Sequence, residues 1–160
     1  MPSILFICTA NICRSPMAMA LFRKKVEQEP DAADWRIDSA GTWGLTGEPA
    51  AVKSVVVMQQ YGIDLREHRS QEVSLAVLKS YDLILTMEQG HKEALRAEYP
   101  VLRDRIYLLS EMVDKNYDIQ DPFGEPLSEY QETAQELDQL LTAGYSKICA
   151  LARKNTMVKT

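Results

Sequence analysis

Ile4-Leu5-Phe6-Ile7 is an unbroken apolar run, and Cys8-Thr9-Ala10-Asn11-Ile12-Cys13-Arg14-Ser15-Pro16 follows it directly. A run of that kind is what a strand buried on both faces shows. Ser15-Pro16 reads as a helix N-cap followed by proline at the first helical position. Met17, Leu21, Phe22 and Val26 then fall on one face, with Arg23, Lys24, Lys25 and Glu27 outside it. The chain therefore opens on a strand, a tight loop and a helix, the first half of a β-α-β unit.

Working outward, the same alternation continues. Trp35-Arg36-Ile37-Asp38-Ser39 reads as a second strand ended by Ala40-Gly41, and a helix is expected from Pro49 to Tyr61, stopped at Gly62. A short helical piece from Glu72 to Lys79 precedes a third strand, Asp82 to Thr86. A helix from Gln89 to Glu98 leads to a fourth strand, Arg105 to Leu109. Asp118 to Pro126 is rich in turn formers. Leu127, Tyr130, Ala134, Leu137 and Leu141 then repeat at spacings of three and four, marking a last helix that also carries Cys149 as a core residue. Strands alternating with helices predict a three-layer α/β/α fold on a four-stranded, parallel sheet with right-handed crossovers. One domain spanning 1–160 is expected, with about 153–160 as a frayed tail. Ligands of such sheets bind beyond the carboxyl ends of the strands, which directs attention to the turns after Ile7, Ser39, Thr86 and Leu109.

Composition narrows the classes. The chain has 160 residues, 46% hydrophobic and 26% charged, which suits a single globular domain. Eighteen Lys and Arg against 23 Asp and Glu give a net charge of −5, which argues against nucleic acid or an anionic membrane as partner. Any positive field for an anionic ligand must be local. The three cysteines, Cys8, Cys13 and Cys149, do not make a secreted disulfide framework. The N-terminus lacks a basic leader and no run is long enough to span a bilayer, so a cytoplasmic, reduced setting is expected.

The loop after the first strand carries the chemistry. A cysteine at a strand end and an arginine at the start of the next helix, spaced Cys-x5-Arg, let backbone N–H groups converge on one point under the helix dipole. An anion such as phosphate is favoured there, and Arg14 can grip two phosphate oxygens. The same field favours a thiolate at Cys8, so a nucleophile sits at the base of a phosphate cradle. Asn11 occupies the middle of the loop, where a residue tolerant of left-handed backbone is wanted. Phosphoryl transfer to Cys8 would expel an oxyanion that leaves more readily if protonated. Asp121, in Asp121-Pro122-Phe123-Gly124, is the candidate acid, and later the base for the water that hydrolyses a cysteinyl-phosphate.

Cys8-x5-Arg14-Ser15 near the start and Asp121-Pro122 before the final helix make the whole chain resemble the low-molecular-weight protein tyrosine phosphatase family. The resemblance implies a metal-free phosphomonoesterase with no cofactor, acting on tyrosine-phosphorylated protein. Thr9, Ala10, Asn11, Ile12, Cys13 and Ser15 form the phosphate loop on this reading, and Ser15 donates to the Cys8 sulfur. Ala10 departs from the glycine usual in the family. Ser39 and His68 match positions that hold the loop in shape, although His68 reads equally as an exposed loop histidine. Ile12, Phe123 and a residue from Trp43-Gly44-Leu45 are expected to wall the slot for the substrate ring, Trp43 alternatively being a loop anchor. Cys13 is either a reversible disulfide partner for Cys8 or a small buried residue. His91 is expected at a helix surface. Glu88 stands where many members carry Asp, and no role is assigned to it.

Three alternatives compete. An arsenate reductase would relay a disulfide through further cysteines, and none occurs between Cys13 and Cys149. A non-catalytic phosphate binder would need Arg14 and the loop but neither Cys8 nor Asp121. The protein arginine phosphatase branch of the same family resembles the segment from Asp121 to Leu137, but places Thr where this chain has Ile12. An apolar Ile12 packs against an aromatic ring and favours phosphotyrosine. Oligomeric state is not legible.

Overall fold

The computed structural model describes residues 1–159. Its central layer is a four-stranded sheet, all parallel, in the order β2-β1-β3-β4: β1 is Ser3–Cys8, β2 Arg36–Gly41, β3 Leu83–Thr86 and β4 Ile106–Leu108. The helices are α1 Arg14–Val26, α2 Val52–Gln60, α3 Leu75–Lys79, α4 Gln89–Glu98, α5 Leu127–Ala143 and α6 Tyr145–Lys159. β1 lies between β2 and β3, and its side chains divide by alternation. Ile4, Phe6 and Cys8 join the core formed with α1, α5 and α6, while Leu5 and Ile7 join the core under α3 and α4. That two-sided burial is why β1 reads as an apolar run rather than an alternating one. Phe22 on α1 is the hub of the larger core, its ring 5.9 Å from Phe6 and 5.5 Å from Tyr145 between centroids. Full burial of one such side chain contributes about 1.5–3 kcal/mol.

Three local expectations are corrected. Ser15 is not the N-cap of α1: the helix begins at Arg14, and Cys13 stands at the cap without a side-chain bond. The Ser15 hydroxyl is engaged by Cys8 and Asn11 instead. Pro16 still falls in the first turn, where its missing N–H costs nothing. The single last helix is two helices, broken at Gly144. A Cβ there would meet Met112 Cβ at 2.9 Å and the Leu140 carbonyl at 3.1 Å, so only glycine lets α5 and the 109–113 turn come this close. The tail from 153 is helical to Lys159: Asn155 donates to the Asp82 carbonyl and Thr156 to its carboxylate, fastening α6 to the foot of β3. Thr160 lies outside the described residues. No helix among the described residues is long and apolar enough to cross a membrane.

β1, β2 and β3 end side by side, with Cys8 paired to Gly41 and Ile7 to Thr86. The loop 9–13, the turn after β2 and the turn after β3 therefore meet at one end of the sheet.

Candidate active site

The loop from Cys8 to Arg14 is shaped from outside. The carbonyl of Cys8 accepts from Thr42 N (3.0 Å), that of Thr9 from Trp43 N (3.0 Å), and that of Ile12 from Ala51 N (2.8 Å). The Asn11 carbonyl accepts from His68 Nε2 at 2.8 Å, and the Cys13 carbonyl from Met17 N at 3.4 Å within α1. In a trans peptide the N–H points opposite to its carbonyl. Turning these five carbonyls outward therefore turns the N–H groups of Thr9, Ala10, Ile12, Cys13 and Arg14 inward, the arrangement of an anion-binding nest. The close fit needs Gly41, where a Cβ would lie 2.6 Å from the Thr9 carbonyl oxygen.

Asn11 is the keystone of this loop. It is fully buried with φ +62°, a backbone conformation that asparagine tolerates better than most residues. Its Nδ2 donates to Ser15 Oγ and to Ser39 Oγ, both at 2.8 Å, and its Oδ1 accepts from Gln71 N at 3.0 Å. Gln71 Nε2 in turn donates to the Ser39 carbonyl. His68 is thus part of the network rather than an exposed histidine. Because its Nε2 faces a carbonyl, that nitrogen carries the proton. Burial holds the His68 ring below its ordinary value, the Asn11 bond pulls the other way, and Arg23 and Arg69 add to the depression.

Cys8 Sγ lies 2.9 Å from Ser15 Oγ in the buried base of the loop. Arg14 is 1% exposed, and its guanidinium is oriented on one side: Nη1 donates to Glu88 Oε2 at 2.5 Å and to the Ile119 carbonyl at 2.8 Å. Nη2 lies 3.4 Å from Thr9 Oγ1 and 3.5 Å from Asp121 Oδ2. Nε is buried with no partner among the described residues, so one edge of the fork, Nε and Nη2, is left for an anion. Asp121 is half-exposed, and its Oδ1 accepts from Phe123 N at 3.0 Å, the side-chain turn that sets its direction.

A cavity of about 230 Å³ opens here. Cys8, Thr9, Ala10, Ile12, Cys13 and Arg14 form its base, and Trp43, Leu45, Asp121 and Phe123 its upper walls. Trp43 and Phe123 are 69% and 65% exposed, so these walls stand open to solvent while Cys8, Cys13 and Arg14 at the base are buried. The loop residues expected together are thus together, with Ser39 and His68 behind them. Cys13 is buried, 3.5 Å from the Tyr130 hydroxyl, and burial pushes its thiol up to about 11; all three cysteines are free. Cys149 is core, as expected.

Sequence reasoning missed Glu88, Gly41 and Gln71, and His91 corrects the expected surface residue. Its side chain is 11% exposed, and Nε2 lies 3.0 Å from Thr9 Oγ1. Glu88 and His91 flank the start of α4 and reach back some eighty residues, a contact no local pattern reports. Parallel pairing of β1 with β3 is what brings them to the loop.

Comparison with known proteins agrees with this geometry. The chain belongs to the low molecular weight phosphotyrosine protein phosphatase family, which its residues 3–154 match. It is 35% identical over 149 residues to the probable low molecular weight protein-tyrosine-phosphatase EpsP of Ralstonia nicotianae, covering 93% of this chain and 97% of that protein. The crystal structure of a low molecular weight protein tyrosine phosphatase from T. tengcongensis superposes with a TM-score of 0.85 at 38% identity, over 92% of this chain and 99% of that one. The YwlE arginine phosphatase from Geobacillus stearothermophilus superposes equally well, TM-score 0.85 at 33% identity, over 94% of each chain. The shared fold is the four-stranded parallel α/β architecture described above, and it spans tyrosine and arginine phosphatases alike.

Proposed function

We propose that this phosphatase hydrolyses phosphotyrosine in protein substrates. The observation that carries the choice is the composition of the cavity walls. Trp43, Leu45 and Phe123, with Ile12 at the base beneath them, offer apolar and aromatic surface suited to an aryl ring. A phosphoguanidinium group would instead call for hydrogen-bonding partners along its length, and the cavity's only carboxylate is Asp121.

On this reading the Cys8 thiolate attacks phosphorus in line with the departing phenolic oxygen. The S–P bond forms as the P–O bond breaks, and Asp121 gives its proton to the leaving oxygen. Inward amides and the free edge of Arg14 hold the phosphoryl oxygens as charge spreads over them. Asp121, now a carboxylate, takes a proton from water, which attacks the cysteinyl-phosphate and releases phosphate and the Cys8 thiolate. Ser15 donates to that sulfur as it leaves. No metal or cofactor enters the scheme.

The test is side-by-side turnover of a phosphotyrosine and a phosphoarginine peptide by wild type and Ile12→Thr. Preference for phosphotyrosine in the wild type, reduced in Ile12→Thr, is expected. Preference of the wild type for phosphoarginine would assign it to the other substrate class. Loss of both activities in Cys8→Ser tests the nucleophile.

A further inference from the structure

We infer that the Thr9 hydroxyl is a ligand of the transferred phosphoryl group and that His91 is the positioning residue that aims it. The inference rests on the phosphatase reading only in requiring a phosphoryl group above Cys8, whatever the leaving group.

The argument is one of counting donors. Thr9 Oγ1 has one hydrogen to give and two lone pairs to receive. Arg14 Nη2, which has no acceptor capacity, approaches it at 3.4 Å and fills one lone pair. His91 Nε2 lies 3.0 Å from the same oxygen. If Thr9 donated to His91, the neutral ring would carry its own proton on Nδ1. That atom is buried, with no acceptor among the described residues. An orphaned buried N–H is the costlier arrangement, whereas an unpaired ring lone pair is tolerated better. The ring therefore carries its proton on Nε2 and donates to Thr9. Burial supports a neutral ring, with Glu88 opposing and Arg14 reinforcing the depression of its proton affinity.

With both lone pairs filled by donors, the Thr9 hydrogen is left for a further acceptor. Thr9 lines the cavity beside Cys8 and Arg14, so the hydroxyl donates into the space where the phosphoryl oxygens sit. It there supplements the inward amides with a side-chain donor next to the Arg14 fork. The Cys8–Thr9 adjacency fixes its distance from the reacting sulfur, and α4 supplies the histidine.

Inorganic phosphate as a competitive ligand and p-nitrophenyl phosphate as substrate test this on the intact chain. Thr9→Val keeps the shape and removes the hydroxyl; both phosphate affinity and kcat/KM are expected to fall about tenfold, the scale of one hydrogen bond to a charged group. Thr9→Ser is expected to restore both, which separates a lost donor from a disturbed loop. His91→Ala is expected to lose about as much as Thr9→Val, His91→Gln to recover most of it through its amide N–H, and the Thr9→Val/His91→Ala double variant to be no worse than either. Thr9→Val within twofold of wild type, or losses that multiply in the double variant, would overturn the inference. A wild type that neither binds phosphate nor turns over the aryl phosphate overturns the phosphatase reading, and this one with it.

Discussion

At the scale of single residues, the site is governed by contacts with no slack. Gly41 is the sharpest case: β2 lies so close to the Thr9 carbonyl that a Cβ at this position would sit 2.6 Å from its oxygen. Both partners are backbone, so neither can rotate away. Gly41→Ala is therefore expected to cost about 1–3 kcal/mol by denaturant unfolding, the range for overpacking, and to depress turnover with it. Asp121 is the opposite case: it is half-exposed, and among the described residues its carboxylate meets its own turn at Phe123 N and Arg14 at 3.5 Å. Asp121→Ala is expected to slow aryl phosphate hydrolysis about 10²–10⁴-fold, the usual worth of a general acid, while phosphate affinity stays within a few-fold. Equal loss of both would make Asp121 a structural residue. That Cys8, Arg14 and Asp121 would line one cavity was legible because Cys8 and Arg14 sit at element boundaries the pattern marks and Asp121 in a turn-rich segment. Gly41 was read only as the end of a strand, since nothing in one sequence says what a glycine touches.

Among elements, the site depends on how turns are tied together. The segment carrying Asp121 is fastened to the turn after β3: Ile119 N donates to the Met87 carbonyl at 2.9 Å, and Asp118 Oδ1 accepts from Gln89 N at 2.8 Å. Arg14 adds a third tie through the Ile119 carbonyl. The general-acid candidate is thus held in register with the cradle by β3 and α4. β1 and β3 were readable from their apolar runs, and α4 to the residue, because local pattern suffices there. The break between α5 and α6 was not, since Gly144 is dictated by Met112 approaching from another part of the chain. Ser15 was misread as a cap for the same reason. The sequence signal was correct for a hydroxyl at a helix start, but the bond goes to Cys8 and Asn11. Gly144→Ala is expected to lower stability by about 1–3 kcal/mol through its clash with Met112, and to leave KM for aryl phosphates unchanged in the folded fraction. A shift in KM at equal stability would show that the α5–α6 junction is coupled to the site.

For the molecule as a whole, both histidines serve the active-site end of the sheet, and the chain has only these two. Burial depresses the ring of each below the ordinary 6.5. The unfolded chain consequently binds more protons than the folded one as pH drops through that range, so stability rises with pH there. Their contribution is fully present above about pH 6.5, the ordinary value of the unfolded chain, and is lost progressively as the pH falls through the depressed values of the folded rings. Melting temperature is expected to fall between pH 7 and pH 5, and His68→Gln to flatten that slope. An unchanged slope in His68→Gln would place the titration elsewhere. Net charge follows the same logic of locality. A chain at −5 can still offer a site to an anion, because the local field comes from inward amides, a helix start and one buried guanidinium, none of which needs a basic surface. The contrast between a buried base and walls as open as Trp43 and Phe123 bears on substrate choice. The two halves of the cavity are held differently: the loop at the base is tied through its backbone carbonyls by Thr42, Trp43, Ala51 and His68, whereas the Trp43 and Phe123 side chains face solvent. Exchange of those two side chains would alter which leaving group the cavity admits without disturbing the loop beneath them.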